Sequence, residues 1–425
     1  MTPREFLSDY SDDARLVTGA YYPQTPLELE PGDTVGVVLL NLGGPTGKED
    51  VEPFLYNLFM DPAIIDIPLP KVLRHALSTF VSRKRAKIVG EDYALIGGNS
   101  PLNRHTKEQA EAVERRLNDR FGAATGATFK TYVAMRYWHP TSEAAAALME
   151  ADGVNKVVLL PLYPQYSKTT TGSSLVYWKA LEDAGEIPAW DTTFVYEYCA
   201  HPKYIQAISE RIDEGLQRFP REVRDRVHLV FSAHGTPLKE LEKRRDPYCC
   251  LVHSTVQRVM DHRQNGSDPD RPFHTAFQSK VGPAKWLTPS TPDKLEELAD
   301  EGHTATLVIP VAFVSDHIET AYELDIEVRE EAVEAGIEHY EVTRGLNGHP
   351  LFIEALAESV AAQVSAAVGG EDAELLPSAI PTLPRYKAAA RTVRCERCPL
   401  VTEACDWSRE PATQVPVPDE VRKAA

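Results

Sequence analysis

The stretch TLVIPVAFVSDHIET, residues 306–320, contains the pattern on which the fold prediction depends. Its first part, Leu307 to Phe313, is a short apolar run rich in branched side chains, which is typical of a parallel strand buried on both faces. A histidine and a glutamate, His317 and Glu319, follow directly. Because parallel strands present their carboxyl ends to ligands, the stretch predicts an α/β fold with a polar pocket at the strand end.

A second strand-like run, HLVFSAHGTP at residues 228–237, also ends in a histidine, His234, before a sharp turn. A lone histidine is more often a satisfied core residue than a ligand. A histidine and a carboxylate at the ends of two strands instead indicate a catalytic or metal-handling site. We therefore expect His234 and Glu319 to face one cavity.

Apolar runs alternate with helical patterns along the chain, which predicts doubly wound sheets with helices on both faces. The predicted strands are 35–40, 131–135, 156–162, 193–196, 228–232, 274–277, 306–313 and 338–342. The predicted helices are 107–121, 142–151, 202–219 and 351–368.

An internal repeat relates the two halves of the chain. HPKYIQAISE at 201–210 matches HPLFIEALAE at 349–358, and LGGP at 42–45 matches HGTP at 234–237. The predicted fold class is therefore α/β, with two pseudo-duplicated doubly wound halves, each a four-stranded parallel sheet flanked by helices. The predicted organisation is an N-terminal extension (1–34), two halves (35–200 and 201–368, with helix 202–219 able to cross between them), a linker (369–392) and a cysteine-containing tail (393–425).

The first half carries an insertion, about 46–105, with more apolar residues than a plain loop needs. Two interpretations are open: a pair of helices packed on the core, or a lip over a large apolar substrate that also contacts a membrane.

Lysine and arginine (45) are outnumbered by aspartate and glutamate (63), so the formal net charge is −18. This charge argues against nucleic acid as a partner, and against a membrane held by charge alone. Residues 1–31 contain no apolar secretion signal, and no run approaches the roughly 18 apolar residues that a spanning helix needs. We therefore expect a cytoplasmic protein, able to lie peripherally on the inner face of the cell membrane through the lip. The oligomeric state is left open.

Eight motifs of this chain resemble those of the ferrochelatases, enzymes that insert ferrous iron into a porphyrin. The motifs also occur in the same order as in that family. They are LLNLGGP (39–45), IGGNSPL (96–102), MRYWHP (135–140), LPLYPQYSKTTTGSSL (160–175), FSAHGTP (231–237), RDPY (245–248), QSKVGPAKWLTP (278–289) and PVAFVSDHIETAYELDIE (310–327). The resemblance runs from Val37 to about Val368. It implies a chelatase-like fold, a porphyrin and Fe²⁺ as substrates, and a metalloporphyrin as product.

Metallating a porphyrin replaces two pyrrole N–H protons by one dication, so the site needs a proton acceptor. His234 is the candidate acceptor, and His234 with Glu319 is the candidate site for the incoming Fe²⁺. Glu323 and Asp325 extend the acidic segment, and on a helix Glu319 and Glu323 share one face as transient ligands or a proton relay. His317 is either a ligand or a support that orients Glu319.

The resemblance also implies Arg136, Tyr137, Lys280 and Trp286 as residues that border the porphyrin. An internal ion pair is the alternative role for Arg136, and Lys280 is a candidate partner for a propionate.

Two departures from the family pattern concern the substrate. Ala94 and Leu95 replace two arginines found in mitochondrial relatives, so propionate binding is assigned to Arg104 or Lys280. Leu42, before Gly43, stands where tyrosine is frequent in enzymes that act on coproporphyrin III. It favours protoporphyrin IX, with coproporphyrin III as the alternative.

The tail contains three clustered thiols, Cys395, Cys398 and Cys405. Some relatives carry a [2Fe–2S] cluster on such an extension, with a fourth cysteine where this chain has Lys168. A [2Fe–2S] cluster is therefore predicted, with Cys199, Cys249 or Cys250 as candidate fourth ligands. A structural zinc site completed by a histidine is the alternative.

The predicted function is that of a ferrochelatase that forms protohaem. The alternatives are the same chemistry on another metal or tetrapyrrole, a non-catalytic carrier of haem or metal, and a redox protein that uses the tail cluster. Repeated turnover of metalloporphyrin distinguishes the enzyme from the carrier.

Overall fold

The computed structural model of this chain describes residues 13–23, 26–65, 70–244, 246–266, 268–280 and 282–366. The predicted linker 369–392 and the cysteine-containing tail, with Cys395, Cys398 and Cys405, lie outside the described residues.

Eight strands form two four-stranded parallel sheets, which confirms the predicted fold class. The first sheet has the order β3-β2-β4-β5 and the second has the order β7-β6-β8-β9, so the two halves share one topology. The strands are β1 (Leu27–Leu29), β2 (Thr34–Asn41), β3 (Thr128–Met135), β4 (Lys156–Pro161), β5 (Asp191–Phe194), β6 (His228–His234), β7 (Phe273–Gln278), β8 (Ala305–Pro310), β9 (His339–Val342) and β10 (Val364–Ala366).

Helices cover both faces of the sheets, as doubly wound folds require. The α-helices of the described residues are Arg15–Thr18, Val51–Met60, Lys71–Leu95, Leu102–Leu117, Ala123–Thr125, Ser142–Ala151, Ser173–Asp183, Pro202–Leu216, Arg221–Arg224, Leu238–Glu242, Tyr248–Gln264, Thr291–Asp300, Val328–Ala335 and Pro350–Ala361. Alternate residues of β2 belong to different cores: Val37 and Leu39 pack on the inner side between the two sheets, whereas Val38 and Leu40 pack on the outer side. Burial on both faces explains why these strands are continuously apolar.

Several element boundaries differ from the sequence prediction: the helix predicted at 107–121 is Leu102–Leu117, and the strand predicted at 131–135 begins at Thr128. The strand predicted at 306–313 ends at Pro310, since the Phe313 amide turns back to bond the Pro310 carbonyl. The helix predicted at 351–368 ends at Ala361, and the chain then forms β10, which pairs with β1. Neither three-residue strand was predicted, because their pairing joins the two ends of the described chain.

Two helices each follow the last strand of one sheet but pack against elements associated with the other sheet. Helix Pro202–Leu216 follows β5 but packs on β8, where a Cβ placed on Gly215 would lie 2.8 Å from a methyl of Leu307. Helix Pro350–Ala361 follows β9 but packs against helix Leu102–Leu117 of the first half. The two helices are therefore exchanged: each follows one sheet in the chain and packs against elements associated with the other.

Matching residues of the internal repeat form reciprocal pairs across this exchange. His201 Nε2 lies 3.3 Å from Glu358 Oε2, and His349 Nε2 lies 3.2 Å from Glu210 Oε2. These are the first and last residues of the two repeated segments. The repeat is thus visible in contacts as well as in sequence.

The insertion forms two packed helices, Val51–Met60 and Lys71–Leu95. Phe54 and Leu55 are buried in a small apolar cluster, whereas Leu73 and Phe80 on the longer helix are 55% and 67% exposed. One side of the insertion therefore packs on the core and another leaves apolar side chains in solvent. No helix in the described part of the chain is long and apolar enough to cross a membrane.

Candidate active site

His234 is the last residue of β6, at the carboxyl edge of the second sheet. Its Nδ1 lies 2.6 Å from the Gly235 carbonyl oxygen, which orients the imidazole. Its Nε2 lies 3.7 Å from Glu319 Oε2. The structure therefore brings together the two residues that the sequence predicted to face one cavity.

Glu319 begins a π-helical segment, Glu319–Glu327, that follows β8 after a short loop. Two further π-helical segments occur in the described residues: Lys168–Gly172, which follows β4 at the matching place in the first half, and Asn118–Gly122, which directly follows helix Leu102–Leu117. π-helical turns are rare in proteins overall, but those that do occur are often found at functional sites. Glu319 Oε2 is buried, and no group within the described ranges donates a hydrogen bond to it. This carboxylate is available to a substrate, metal or proton.

Glu323 is the second carboxyl of the site. Ser279 Oγ lies 2.9 Å and 2.7 Å from its two oxygens, and burial together with the charge of Glu319 raises the pKa of Glu323 to about 7. Ser279 has a φ of 62°, a strained value for a residue with a side chain. Gln278 Nε2 donates to the Glu319 carbonyl over 3.0 Å. The end of β7 thus holds the π-helical segment against His234.

Asp325, by contrast, lies at the surface, where Arg329 Nη2 is 2.5 Å from its Oδ1. Of the carboxylates predicted for the acidic segment, only Glu319 and Glu323 point toward His234.

His317 is buried, and burial lowers the pKa of its imidazole although Glu319 and Asp316 oppose the shift. Its ring packs on Phe313, with 4.6 Å between the ring centroids, and Phe313 also contacts His234 edge-on at 6.4 Å. His317 is therefore a neutral imidazole behind the His234–Glu319 pair.

The loop that carries His317 is held from both halves. Asp316 accepts hydrogen bonds from the Gly345 amide and from Asn347 Nδ2, over 2.8 Å and 2.7 Å. Gln109, from the first half, donates to Ser315 Oγ over 2.8 Å. Sequence reasoning missed Gln109 and Asn347. The Asn-Gly pair in GLNGHP, residues 345–350, was a usable turn signal only for Asn347, whose φ is 49°.

An apolar wall adjoins the pair. Leu42 and Ile318 both pack on the cluster formed by the insertion helices, in which Tyr93 and Tyr137 are buried. The turn after β2 therefore lies on the same apolar surface as the residue that precedes Glu319.

Arg136 and Tyr137 lie together, but both are bonded to a buried aspartate of the insertion. Arg136 Nη2 lies 3.0 Å from Asp61 Oδ2, and the Tyr137 hydroxyl donates to the same oxygen over 2.6 Å. Burial opposes ionisation of Asp61, but Arg136, Ser173 and Tyr137 hold its pKa below the ordinary value. Arg136 therefore forms the internal ion pair that the sequence left as its alternative role.

Trp286 and Lys280 lie on the segment after β7. A Cβ placed on Gly235 would be 2.8 Å from the Gln278 carbonyl oxygen and 3.1 Å from Trp286 Cε3, so the indole packs directly on the turn after His234. Lys280 is exposed next to Ser279, and Arg104 is exposed on helix Leu102–Leu117. Both cations can reach an anionic group outside the protein.

The cysteines within the described residues differ in how well they could serve as ligands of a [2Fe–2S] cluster. Cys199 and Cys249 are buried in the cores, and burial raises the pKa of the Cys199 thiol well above its ordinary value. Cys250 is half-buried in the first turn of helix Tyr248–Gln264, where the helix dipole favours a thiolate. Lys168 is buried, with Nζ 3.1 Å from Glu240 Oε2.

A closed metal cage is not part of the described structure: no group of three or more His, Cys, Asp or Glu side chains within those ranges is arranged around a common point. The arrangement at the sheet edge is instead an imidazole and two carboxylates beside an apolar wall. Such a set can accept protons and offer one or two ligands to a divalent ion, but not hold it tightly.

Comparison with known proteins gives a consistent result. A family model described as Ferrochelatase matches residues 34–364. The ferrochelatase of Synechococcus elongatus is 43% identical over 355 residues, which cover 83% of this chain and 89% of that protein. The ferrochelatase of Gloeobacter violaceus is 44% identical over 330 residues, 77% of this chain and 96% of that protein.

Among solved structures, SirB from Bacillus subtilis with Fe³⁺ matches 78% of this chain and 96% of its own, with 12% identity and a TM-score of 0.43. The sequence relatives decide the assignment. Since the family model spans residues 34–364 and relatives align over most of both lengths, this chain belongs to the ferrochelatase family and is an enzyme that inserts ferrous iron into a porphyrin.

Proposed function

We propose that this enzyme inserts Fe²⁺ into protoporphyrin IX to give protohaem and two protons. The observation that carries the site assignment is the His234–Glu319 pair, with Nε2 and Oε2 3.7 Å apart at the edge of an apolar wall. This distance is longer than a hydrogen bond, so neither group is hydrogen-bonded to the other. Both atoms are available to the substrates.

His234 is the proposed proton acceptor. Its Nδ1 is engaged by the Gly235 carbonyl oxygen, which fixes the proton on that nitrogen and leaves the Nε2 lone pair for a pyrrole proton. Each proton transfer breaks one pyrrole N–H bond and forms one N–H bond on the imidazole. Glu319 stabilises the resulting imidazolium.

Glu319 also offers an oxygen ligand to Fe²⁺ on its way to the porphyrin. Glu323 can then take the proton from the pair, because a carboxyl that titrates near neutrality accepts and releases protons with little cost. His317, neutral and buried behind the pair, positions it through its contact with Phe313.

The choice of protoporphyrin IX depends on Leu42. Protoporphyrin IX has two vinyl groups where coproporphyrin III has propionates, and an apolar side chain gains from covering vinyl groups but leaves a carboxylate without a partner. Lys280 and Arg104 are the proposed partners of the propionates that both substrates share, since both cations are exposed.

An anaerobic assay with Fe²⁺ tests the proposal. We expect repeated turnovers, with a higher kcat/KM for protoporphyrin IX than for coproporphyrin III. The reverse order contradicts the assigned substrate, and a single stoichiometric binding event without turnover contradicts catalysis.

We further propose that the tail binds a structural [2Fe–2S] cluster through Cys395, Cys398, Cys405 and Cys250. Cys250 is chosen because its thiol is half-buried at a helix start, whereas Cys199 and Cys249 are enclosed. The loop that holds the fourth cysteine in some relatives contacts the same region, since the Lys168 amide donates to Asp246 Oδ2 over 2.9 Å, four residues before Cys250.

Iron and acid-labile sulfide measured in protein purified without oxygen test this cluster. We expect Cys250→Ser to lose both and Cys199→Ser, at an enclosed thiol that is not a proposed ligand, to keep both. Purified protein that contains zinc without sulfide contradicts the cluster and favours the zinc alternative.

We also propose that the longer insertion helix docks on the inner face of the cell membrane from the cytoplasm. Exposed apolar residues, including Leu73, Phe80 and Ile88, share helix Lys71–Leu95 with exposed Lys84 and Lys87. Apolar side chains beside lysines suit an anionic bilayer surface even though the whole chain is acidic.

Sedimentation with vesicles tests this docking. We expect binding to vesicles of phosphatidylcholine with phosphatidylglycerol, and loss of binding in Phe80→Asp. Leu148→Asp, at an equally exposed leucine on helix Ser142–Ala151, is the control. Equal binding by both variants contradicts the proposed surface.

A further inference from the structure

Gln278, the last residue of β7, is hydrogen-bonded next to both members of the His234–Glu319 pair. It lies opposite His234 in the parallel ladder of β6 and β7. Its main-chain carbonyl accepts a hydrogen bond from the Gly235 amide over 2.8 Å, and its side-chain Nε2 donates to the Glu319 carbonyl over 3.0 Å. One residue is therefore bonded to the turn that orients the imidazole and to the main chain that carries the carboxylate.

The two bonds of Gln278 can be separated by substitution. The bond on the His234 side is made by main-chain atoms: the Gly235 amide donates to Gln278, and the Gly235 carbonyl engages His234 Nδ1 over 2.6 Å. A new side chain at position 278 leaves these main-chain atoms in place. The bond to the Glu319 carbonyl, by contrast, depends on the side-chain amide. Loss of this amide should therefore displace Glu319 and leave the imidazole oriented.

The Gln278 amide can serve Glu319 in only one of its two orientations. Its nitrogen donates and its oxygen accepts, and the two ends are of nearly equal size, so neighbouring hydrogen bonds decide which end faces Glu319. If the oxygen faced the Glu319 carbonyl, two acceptors would meet and both would be left unpaired, which is costly in a buried place. Gln278 is 3% exposed, so bulk water hardly reaches the amide.

Ser232, on the neighbouring strand β6, sets this orientation. Its buried hydroxyl donates to Gln278 Oε1 over 2.9 Å, which directs the amide nitrogen to Glu319. A serine hydroxyl has a single proton, and this bond uses it. The hydrogen bond between Ser232 Oγ and Thr291 Oγ1, 2.8 Å apart, is therefore donated by Thr291. The donors run in one direction, from Thr291 through Ser232 and Gln278 to the Glu319 carbonyl.

Regular structure holds both hydroxyls in place. Ser232 lies within β6, Thr291 is the first residue of helix Thr291–Asp300, and neither residue is accessible to solvent. The Phe277 amide donates to the Pro289 carbonyl over 3.0 Å, which joins the end of β7 to the start of this helix. The chain of donors thus begins in a rigid, buried part of the second half.

We propose that Ser232, Thr291 and Gln278 are positioning residues of the enzyme: the two hydroxyls fix the direction of the Gln278 amide, and the amide fixes the main chain from which the Glu319 carboxylate faces His234. No proton moves along this chain during turnover, because each hydroxyl keeps its own. The inference rests on the proposed role of Glu319. It gives a cause for the 3.7 Å separation between Glu319 Oε2 and His234 Nε2.

Steady-state kinetics of Gln278→Met test this role. The variant keeps the length of the side chain and removes both of its hydrogen bonds. We expect kcat to fall about 10- to 100-fold, the size typical of a misplaced catalytic group, while the KM for porphyrin stays unchanged. The control is Gln165→Met, at a glutamine that is 2% exposed and bonded to Thr255, which should melt earlier but keep its kcat. Wild-type kcat in Gln278→Met, or an equal loss in both variants, overturns the proposal.

Two variants of Thr291 distinguish positioning from packing. Thr291→Val keeps the shape of the side chain and removes the hydroxyl, whereas Thr291→Ser keeps the hydroxyl and removes a buried methyl group. We expect Thr291→Val to lower kcat about two- to tenfold, the size typical of one lost hydrogen bond, and Thr291→Ser to retain wild-type kcat. A role in packing alone makes Thr291→Ser the more damaging substitution, and that order overturns the proposal.

A double-mutant cycle tests whether Ser232 acts through Gln278. Ser232→Ala alone should lower kcat, but it should have no further effect in the Gln278→Met background, because the amide that it orients is absent. Additive losses overturn the proposed chain. Glu319→Gln separates this inference from the proposed function. Normal turnover in Glu319→Gln refutes the role of Glu319, whereas an inactive Glu319→Gln beside a fully active Gln278→Met refutes the positioning role alone.

Discussion

His234 Nε2 and Glu319 Oε2 lie 3.7 Å apart, which is within the distance of an ion pair but longer than a hydrogen bond. A direct hydrogen bond would hold the imidazole in one protonation state. A wide separation would leave a protonated imidazole unstabilised. The observed distance allows Nε2 to accept a proton from a third group while the carboxylate stabilises the charge that results.

Replacing His234 by Ala should lower kcat about 10²- to 10⁴-fold, the range typical of a lost general base. Porphyrin should still bind, because Trp286 and the apolar wall around Leu42 are unchanged. Anaerobic turnover and fluorescence titration of the free porphyrin measure the two quantities. A variant with normal turnover excludes the assigned role.

Glu319→Gln should reduce turnover severely while the fold is kept, since the amide has the same shape but holds neither a proton nor Fe²⁺ well. The carboxylate also raises the pKa of Glu323, so the substitution should let Glu323 ionise at a lower pH. A pH profile of the residual activity measures this shift. An unchanged rate contradicts the assignment of Glu319.

Asp61→Asn should destabilise the protein by about 3–5 kcal/mol at neutral pH, because it leaves the buried Arg136 charge without its partner. The pKa of Asp61 is held below its ordinary value, so the stabilisation is present above the ordinary carboxyl range and is lost as the pH falls through the folded-state pKa. The variant should lack that acid-dependent loss. Melting temperatures measured across pH test both statements, with Asp325→Asn at the surface as the control.

Leu42→Tyr should move substrate preference toward coproporphyrin III. The phenol hydroxyl can donate to a propionate, whereas the lost aliphatic contact weakens binding of a vinyl group. A change of about tenfold in the ratio of the two kcat/KM values is the expected size for one such contact. Leu148→Tyr, at an exposed position away from the site, should leave the ratio unchanged.

The eight strands of the two sheets were predictable because they are short runs rich in apolar residues, and the central strands β2, β4, β6 and β8 are buried on both faces. Such runs can be recognised without knowledge of the strands that pair with them. Helix Ser142–Ala151 was predicted with its observed bounds, since Thr141 caps it by accepting from the Ala144 amide. The His234–Glu319 pair was predictable because each residue stands at or after the carboxyl end of a parallel strand. In the structure His234 ends β6, Glu319 follows β8, and the two strands are neighbours.

The features that the sequence did not predict depend on contacts between residues far apart in sequence. Arg136 meets Asp61 from the insertion, 75 residues away, and nothing local marks that pair. The π-helical form of Glu319–Glu327 was also not predictable, because a pattern of apolar and acidic residues does not distinguish it from an α-helix.

The exchanged helices have a consequence for the ancestry of the chain. Consider a half-length protein that ends after a helix equivalent to Pro202–Leu216. Part of its sheet would be uncovered, and its last helix would have no surface of the same molecule to pack against. Two such molecules could cover each other by trading those helices, as in a domain-swapped dimer. The reciprocal histidine–glutamate pairs are what a twofold axis between identical ancestors would leave behind once the two copies were fused.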